Sequence, residues 1–192
     1  MHKARLEAFS DGVLAIIITI MVLELRIPHG QDLAALRPLL PIFFSYVLSF
    51  VYIGIYWNNH HHMFQAAKRV SGGVLWANLH LLFWLSLLPF VTGWMGENSF
   101  GPMPTALYGF VLLMAGIAYW ILARTIIAIE GEESILAKAI GKDRKGVLSV
   151  VLLALAIPLA FFNRGAAQSI FVLIALIWLI PDRRIEKMLR SV

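Results

Sequence analysis

The chain has 192 residues, of which 60% are hydrophobic and only 14% charged, with a formal net charge of +5 and no cysteine. Soluble domains carry about 25% charged residues, so this chain has more apolar surface than one soluble core can hide, and lipid must cover part of it. The lack of cysteine excludes disulfides, thiol catalysis and cysteine-ligated metals. The basic residues lie between apolar runs and without interleaved aromatics, where they orient a chain in a bilayer rather than bind nucleic acid.

Six apolar segments follow in chain order, and helices are expected at 5–27, 39–64, 73–95, 104–128, 146–162 and 166–181, all in a single all-α membrane domain over 1–192. Arg5, Glu7 and Asp11 precede the first apolar run and no small-x-small site follows it, so it is read as a retained helix rather than a cleaved signal. The stretches Leu39 to Trp57 and Val74 to Trp94 contain no charge. Pro89 and Pro158 fall inside segments and predict kinks. The segment from Glu130 to Lys145 is amphipathic and predicts a helix and turn on the membrane surface. The last two segments are short for a bilayer that needs roughly 20 residues. Asn163-Arg164-Gly165 forms a tight turn between them. Tilt and snorkelling absorb the mismatch, and a re-entrant hairpin is the alternative.

Charge sets the orientation. With six crossings, Lys3, Arg5, Lys68, Arg69, Arg124, Lys138, Lys142, Arg144, Lys145, Arg183, Arg184, Lys187 and Arg190 fall on one side, against Arg26, Arg37 and Arg164 on the other. The positive-inside rule then places both termini in the cytoplasm.

The first helix opens Arg5-Leu6-Glu7-Ala8-Phe9-Ser10-Asp11-Gly12 and then becomes rich in isoleucine. At 100° per residue, Gly12, Thr19, Ile20, Leu23 and Ile27 lie within about 60° of Ile16, while Ser10 and Asp11 lie on the opposite side. Such a stripe is either a helix–helix seam or the lining of a pore, and periodicity alone does not separate the two. Asp11 is a functional candidate because an ionisable group in a membrane span is costly. Its structural reading is a helix-start acid stabilised by the N-terminal dipole. Arg5 and Asp11 lie about 120° apart around the helix, so each is expected to bond to another helix or subunit.

The run Arg5-x-x-x-Phe9-Ser10-Asp11 resembles the signature of the transmembrane protein 175 family of potassium-selective channels, which has single-repeat relatives in prokaryotes. The end of the second helix, Trp57-Asn58-Asn59-His60-His61, and the third helix from Asn78 to Pro89 look similar too. The resemblance implies six transmembrane helices per subunit and a homotetramer in the plasma membrane of a prokaryote, with helix 1 around a central pore for potassium ions. It implies that Ile16 forms the narrowest point, Ile20 and Leu23 further apolar layers, and Thr19 a polar ring. Arg5, Phe9, Ser10 and Asp11 then act as structural signature residues, with Trp57, His60 and Asn78 as interhelical partners.

Other features point away from chemistry. His60, His61 and His62 are consecutive and diverge by about 100° each, so they cannot share one ion. No metal site, cofactor or enzymatic motif is expected. Glu24 is expected to pair with Arg26 or to attract cations at the mouth. The alternative function is a proton-coupled secondary transporter using Asp11 or His80, which would show saturable flux.

Overall fold

The computed structural model describes residues 3–141 and 143–179. The basic residues Lys142, Arg183, Arg184, Lys187 and Arg190, which enter the charge count above, lie outside the described residues, as does the expected helix end at 181.

Among the described residues the chain is all helical. The helices are α1 (Lys3–Leu23), α2 (Leu40–Ala66), α3 (Gly72–Ser86), α4 (Leu88–Glu97), α5 (Pro102–Glu130), α6 (Ile135–Ile140), α7 (Arg144–Phe162) and α8 (Arg164–Leu179), with a 3-10 turn at Leu33–Leu39 leading into α2. Five helical stretches are long and apolar enough to cross a membrane: α1, the 3-10 turn with α2, α3 with α4, α5, and α7. The apolar α8 has 16 residues within the described range.

The helix ends follow local chemistry. α1 stops at Leu23, four residues before its expected end at 27. Pro28 disfavours helical backbone at Ile27, and the non-helical stretch carries Arg26 to a partner on α4. Ile27 is therefore removed from the helical stripe. The kink expected at Pro89 is a break: Leu87 joins α3 to α4, and Pro89 sits in the first turn of α4, where its missing N–H leaves no bond unmade. Pro158 leaves α7 continuous from Arg144 to Phe162. α5 starts at Pro102, again a proline in a first turn. It ends at Gly131, whose φ of 91° suits glycine. The Glu130-to-Lys145 segment holds the short α6, capped by Ser134.

The helices are arranged in three tiers. α1 packs against α2, α3 and α4; α5 packs on α3 and α4; α7 and α8 pack on α5 and on each other, and α8 also reaches α2. Small residues set the close approaches, as expected where lipid tails remove any hydrophobic drive between helices. At Gly96 an added Cβ would lie 2.5 Å from Ser45 Oγ and 2.7 Å from Ile42 Cα, so α4 and α2 touch there without room for a side chain. In the same layer Ser49 bonds Thr92 at 2.7 Å and Tyr108 at 3.0 Å, which joins α2, α4 and α5 inside the bundle.

Candidate functional site

One face of α1 is buried against its own chain and the other is not. Leu6, Ser10, Leu14, Ile17 and Met21 are buried, at spacings of three and four that make one helical face. The opposite arc is exposed: Ile16 is 59%, Ile20 44% and Leu23 75% accessible, and Gly12 and Thr19 on the same arc are exposed too. A Cβ added to Gly12 would meet nothing within 4 Å. The stripe is thus not a seam within the subunit; it faces out of the chain's own bundle.

The buried face is held in rotation by polar side chains on three helices. Ser10 Oγ donates to Leu6 O at 2.9 Å and accepts from Asn78 Nδ2 at 2.9 Å. Asn78 Oδ1 in turn lies 2.8 Å from His60 Nε2. With that carboxamide oxygen accepting, Nε2 carries the proton. His60 also packs on Phe64 at 4.6 Å between centroids. The chain Ser10–Asn78–His60 therefore runs from α1 through α3 to α2, and all three residues are buried. Ser10 Oγ, both ends of the Asn78 carboxamide and His60 Nε2 all have partners, and paired buried polar groups of this kind specify packing rather than weaken it.

A second tether lies on the exposed side of the first. Trp57 Nε1 donates to Asp11 Oδ1 at 3.0 Å, and the indole stacks on His61 at 6.3 Å. Asp11 thus has a partner on α2 at the edge of the exposed arc. Phe9 and Arg5 are exposed. Among the described residues Arg5 bonds to no other helix, which leaves another subunit as the expected partner. His80 Nε2 accepts from Trp84 Nε1 at 2.9 Å, one turn along the same helix. His80 is thereby held within α3.

Two anchors were not anticipated from the sequence. Lys3 Nζ donates to Phe64 O at 2.9 Å and Ala67 O at 3.1 Å, so it satisfies carbonyls at the end of α2. A lysine at a helix C-terminus also complements the helix dipole, but the two sites are more than 60 residues apart in sequence. At the far end Arg26 pairs with Glu97 at 2.5 Å, which corrects the pairing with Glu24. Glu24 instead lies along α4, with Oε2 3.3 Å from where a Gly93 Cβ would stand. α1 is therefore pinned at its start by Lys3, along its length by Ser10 and Asp11, and beyond its end by Arg26.

Residues 5–89 match a family model described as endosomal/lysosomal potassium channel TMEM175. A protein of Chryseobacterium sp. (strain P1-3) named as a potassium channel is 57% identical over 191 residues, covering 100% of both chains. The chain belongs to the TMEM175 family. A TMEM175 homolog from Chamaesiphon minutus, described as a lysosomal potassium-selective channel, has a crystal structure that superposes with a TM-score of 0.81 at 25% identity. The match covers 94% of this chain and 97% of that one. The chicken endosomal/lysosomal proton channel TMEM175 is 34% identical over 101 residues, 46% of this chain and 20% of that protein. The TMEM175 match spans Arg5, Ser10, Asp11, Trp57, His60 and Asn78, so both tethers lie inside it. As a TMEM175 member the chain is a multi-pass membrane protein built on an all-α channel fold.

Proposed function

We propose that this chain is the subunit of a potassium channel whose pore is lined by the exposed arc of α1, with Ile16 as the constriction. The observation that carries this reading is the division of α1. The face with Ser10 is locked into the bundle, while Gly12, Ile16, Thr19, Ile20 and Leu23 point away from it. A purely lipid-facing arc needs neither a glycine nor a threonine, and four such arcs around an axis would form a narrow apolar tube with one polar ring. The naming of the Chryseobacterium and Chamaesiphon relatives as potassium channels supports the same assignment.

The subunits form a homotetramer with six crossings each, both termini in the cytoplasm, in the plasma membrane of a prokaryote. α3 and α4 act as one broken crossing, and α8 is the sixth. A ring of Ile16 side chains forces a cation to shed water or pass with a thinned shell. Potassium releases water more readily than sodium, so the ring favours potassium weakly. Thr19 Oγ1 donates to Ala15 O at 2.9 Å, which leaves its oxygen lone pairs free to meet a partly dehydrated ion. Closure comes from dewetting between the Ile16, Ile20 and Leu23 layers. Arg5, Phe9, Ser10 and Asp11 are scaffold. Arg5, exposed and without an ion pair among the described residues, meets a neighbouring subunit.

The test is substitution of Ile16 by Asn in protein reconstituted into a planar bilayer. Sodium permeability relative to potassium rises if Ile16 forms the constriction, and an unchanged ratio removes it from that role. Proton-coupled, saturable flux in place of unitary currents would return Asp11 and His80 to a transporter mechanism.

A further inference from the structure

A cavity of about 440 Å³ lies among α2, α5, α7 and α8, on the side of the bundle away from α1. Its walls are almost wholly apolar, with Tyr56, Leu112, Gly116, Trp120, Val151 and Trp178 among them. Along α5 it extends from Leu112 to Trp120, about 12 Å at 1.5 Å per residue, so it is a slot running along the helices. No side chain fills it at its middle: a Cβ added to Gly116 would meet only the Tyr56 hydroxyl, at 3.8 Å. That hydroxyl makes no hydrogen bond among the described residues, while Trp178, across the slot, is held by Ser149 at 2.8 Å.

The end of the slot is marked by charge. Arg124 stands one turn beyond Trp120 on α5, its guanidinium 5.8 Å from the centre of that ring. It is exposed and forms no ion pair among the described residues. Asp143, which also borders this end, has its Oδ1 engaged by Gly146 N–H at 3.1 Å as the cap of α7. An apolar slot among helices long and apolar enough to cross a membrane, with a cation beside the tryptophan that closes one end, matches an amphiphile with an apolar chain and an anionic head.

We propose that this cavity binds one acyl chain of a membrane phospholipid, whose phosphate meets Arg124. A guanidinium held over an indole face by a cation–π contact keeps its N–H donors for phosphate oxygens, which it binds well. The site is separate from the α1 arc, so it stands whether or not α1 lines a pore.

Native mass spectrometry of the full-length oligomer, titrated with phosphatidylglycerol in mild detergent, tests this. The parent protein binds one lipid per subunit. Gly116→Leu places a side chain in the slot; excluding even two methylenes costs about tenfold in affinity. Val151→Trp fills the same slot from α7 and serves if the first variant fails to assemble. Arg124→Gln leaves the slot open and weakens binding about fivefold, as expected for one basic residue at an anionic headgroup. Lipid-free parent protein, or filled variants that bind as the parent does, would overturn the proposal. A filled variant that loses binding while Arg124→Gln keeps it in full would also overturn it, because the slot would then take apolar tails without a phosphate.

Discussion

Asn78 is the residue on which the orientation of α1 depends most. It has partners on both neighbouring helices, and its side chain is fully buried. Interhelical hydrogen bonds in membranes average about 0.6 kcal/mol and reach about 1.7 kcal/mol. Replacing Asn78 by Leu removes two such bonds and leaves the His60 ring N–H without an acceptor. The expected loss is about 2–3 kcal/mol, seen as a lower midpoint of thermal aggregation in detergent and a lower oligomer yield. A thermal midpoint equal to the parent's would show that the relay is dispensable. Asp11 differs because its partner Trp57 is half-exposed and its carboxylate borders the outward arc. Asp11→Ala is expected to reduce assembly or open probability more than it reduces the stability of the monomer, and normal oligomers carrying normal current would refute that role. Ser10 and Asp11 stood out in the signature, and Trp57, His60 and Asn78 as candidate partners on the next two helices, but which residue pairs with which was not legible. Ser10 and Asn78 are 68 residues apart, and no periodicity within a helix encodes a bond between helices.

At the scale of the element, α1 was legible in its rotation and less so in its ends. The 100° wheel put Gly12, Ile16, Thr19, Ile20 and Leu23 on one arc, and that arc is the exposed one. It could not say whether the arc faced the chain's own bundle. The helix ended early because Pro28 and the reach of Arg26 to Glu97 act on the backbone together, and the second of these is a tertiary contact. Lys3 escaped notice for the same reason. The chain has no cysteine, so single cysteines report cleanly on this geometry. A thiol reagent is expected to block current through Ile16→Cys and Leu23→Cys and to leave Leu14→Cys unmodified, since Leu14 is buried on the opposite face. Equal modification at all three positions would mean that α1 is rotated or loosely held. The contact between α2 and α4 makes a separate prediction. Gly96→Ala forces its Cβ against Ser45 and the Ile42 backbone, and overpacking of this kind costs about 1–3 kcal/mol. Circular dichroism melts of the variant should shift down accordingly, and an unshifted melt would contradict the close approach.

For the molecule as a whole, composition and apolar segmentation were enough to establish an all-α membrane chain. Pro89 indicated where the third segment would divide, because a proline within a helix removes a bond and clashes one turn back. The tiered arrangement, with α1 at one side and α7 and α8 at the other, was not readable, because nearly every helix is apolar all round and so carries little directional pattern. The acyl-sized cavity was hidden for the same reason: Gly116 and Trp120 look like ordinary membrane residues until α5 and α7 are set side by side. The arrangement puts different features on the two sides of the bundle, an outward arc of α1 on one and an apolar slot among α2, α5, α7 and α8 on the other. The proposed role of the α1 arc is to line the pore, with Ile16 as its narrowest ring. It is tested most directly by the bi-ionic reversal potential, measured in a planar bilayer with potassium on one side and sodium on the other, for the parent and for Ile16→Asn. The parent current is expected to reverse toward the potassium potential and the Ile16→Asn current closer to zero. A reversal potential that the substitution leaves in place would contradict it.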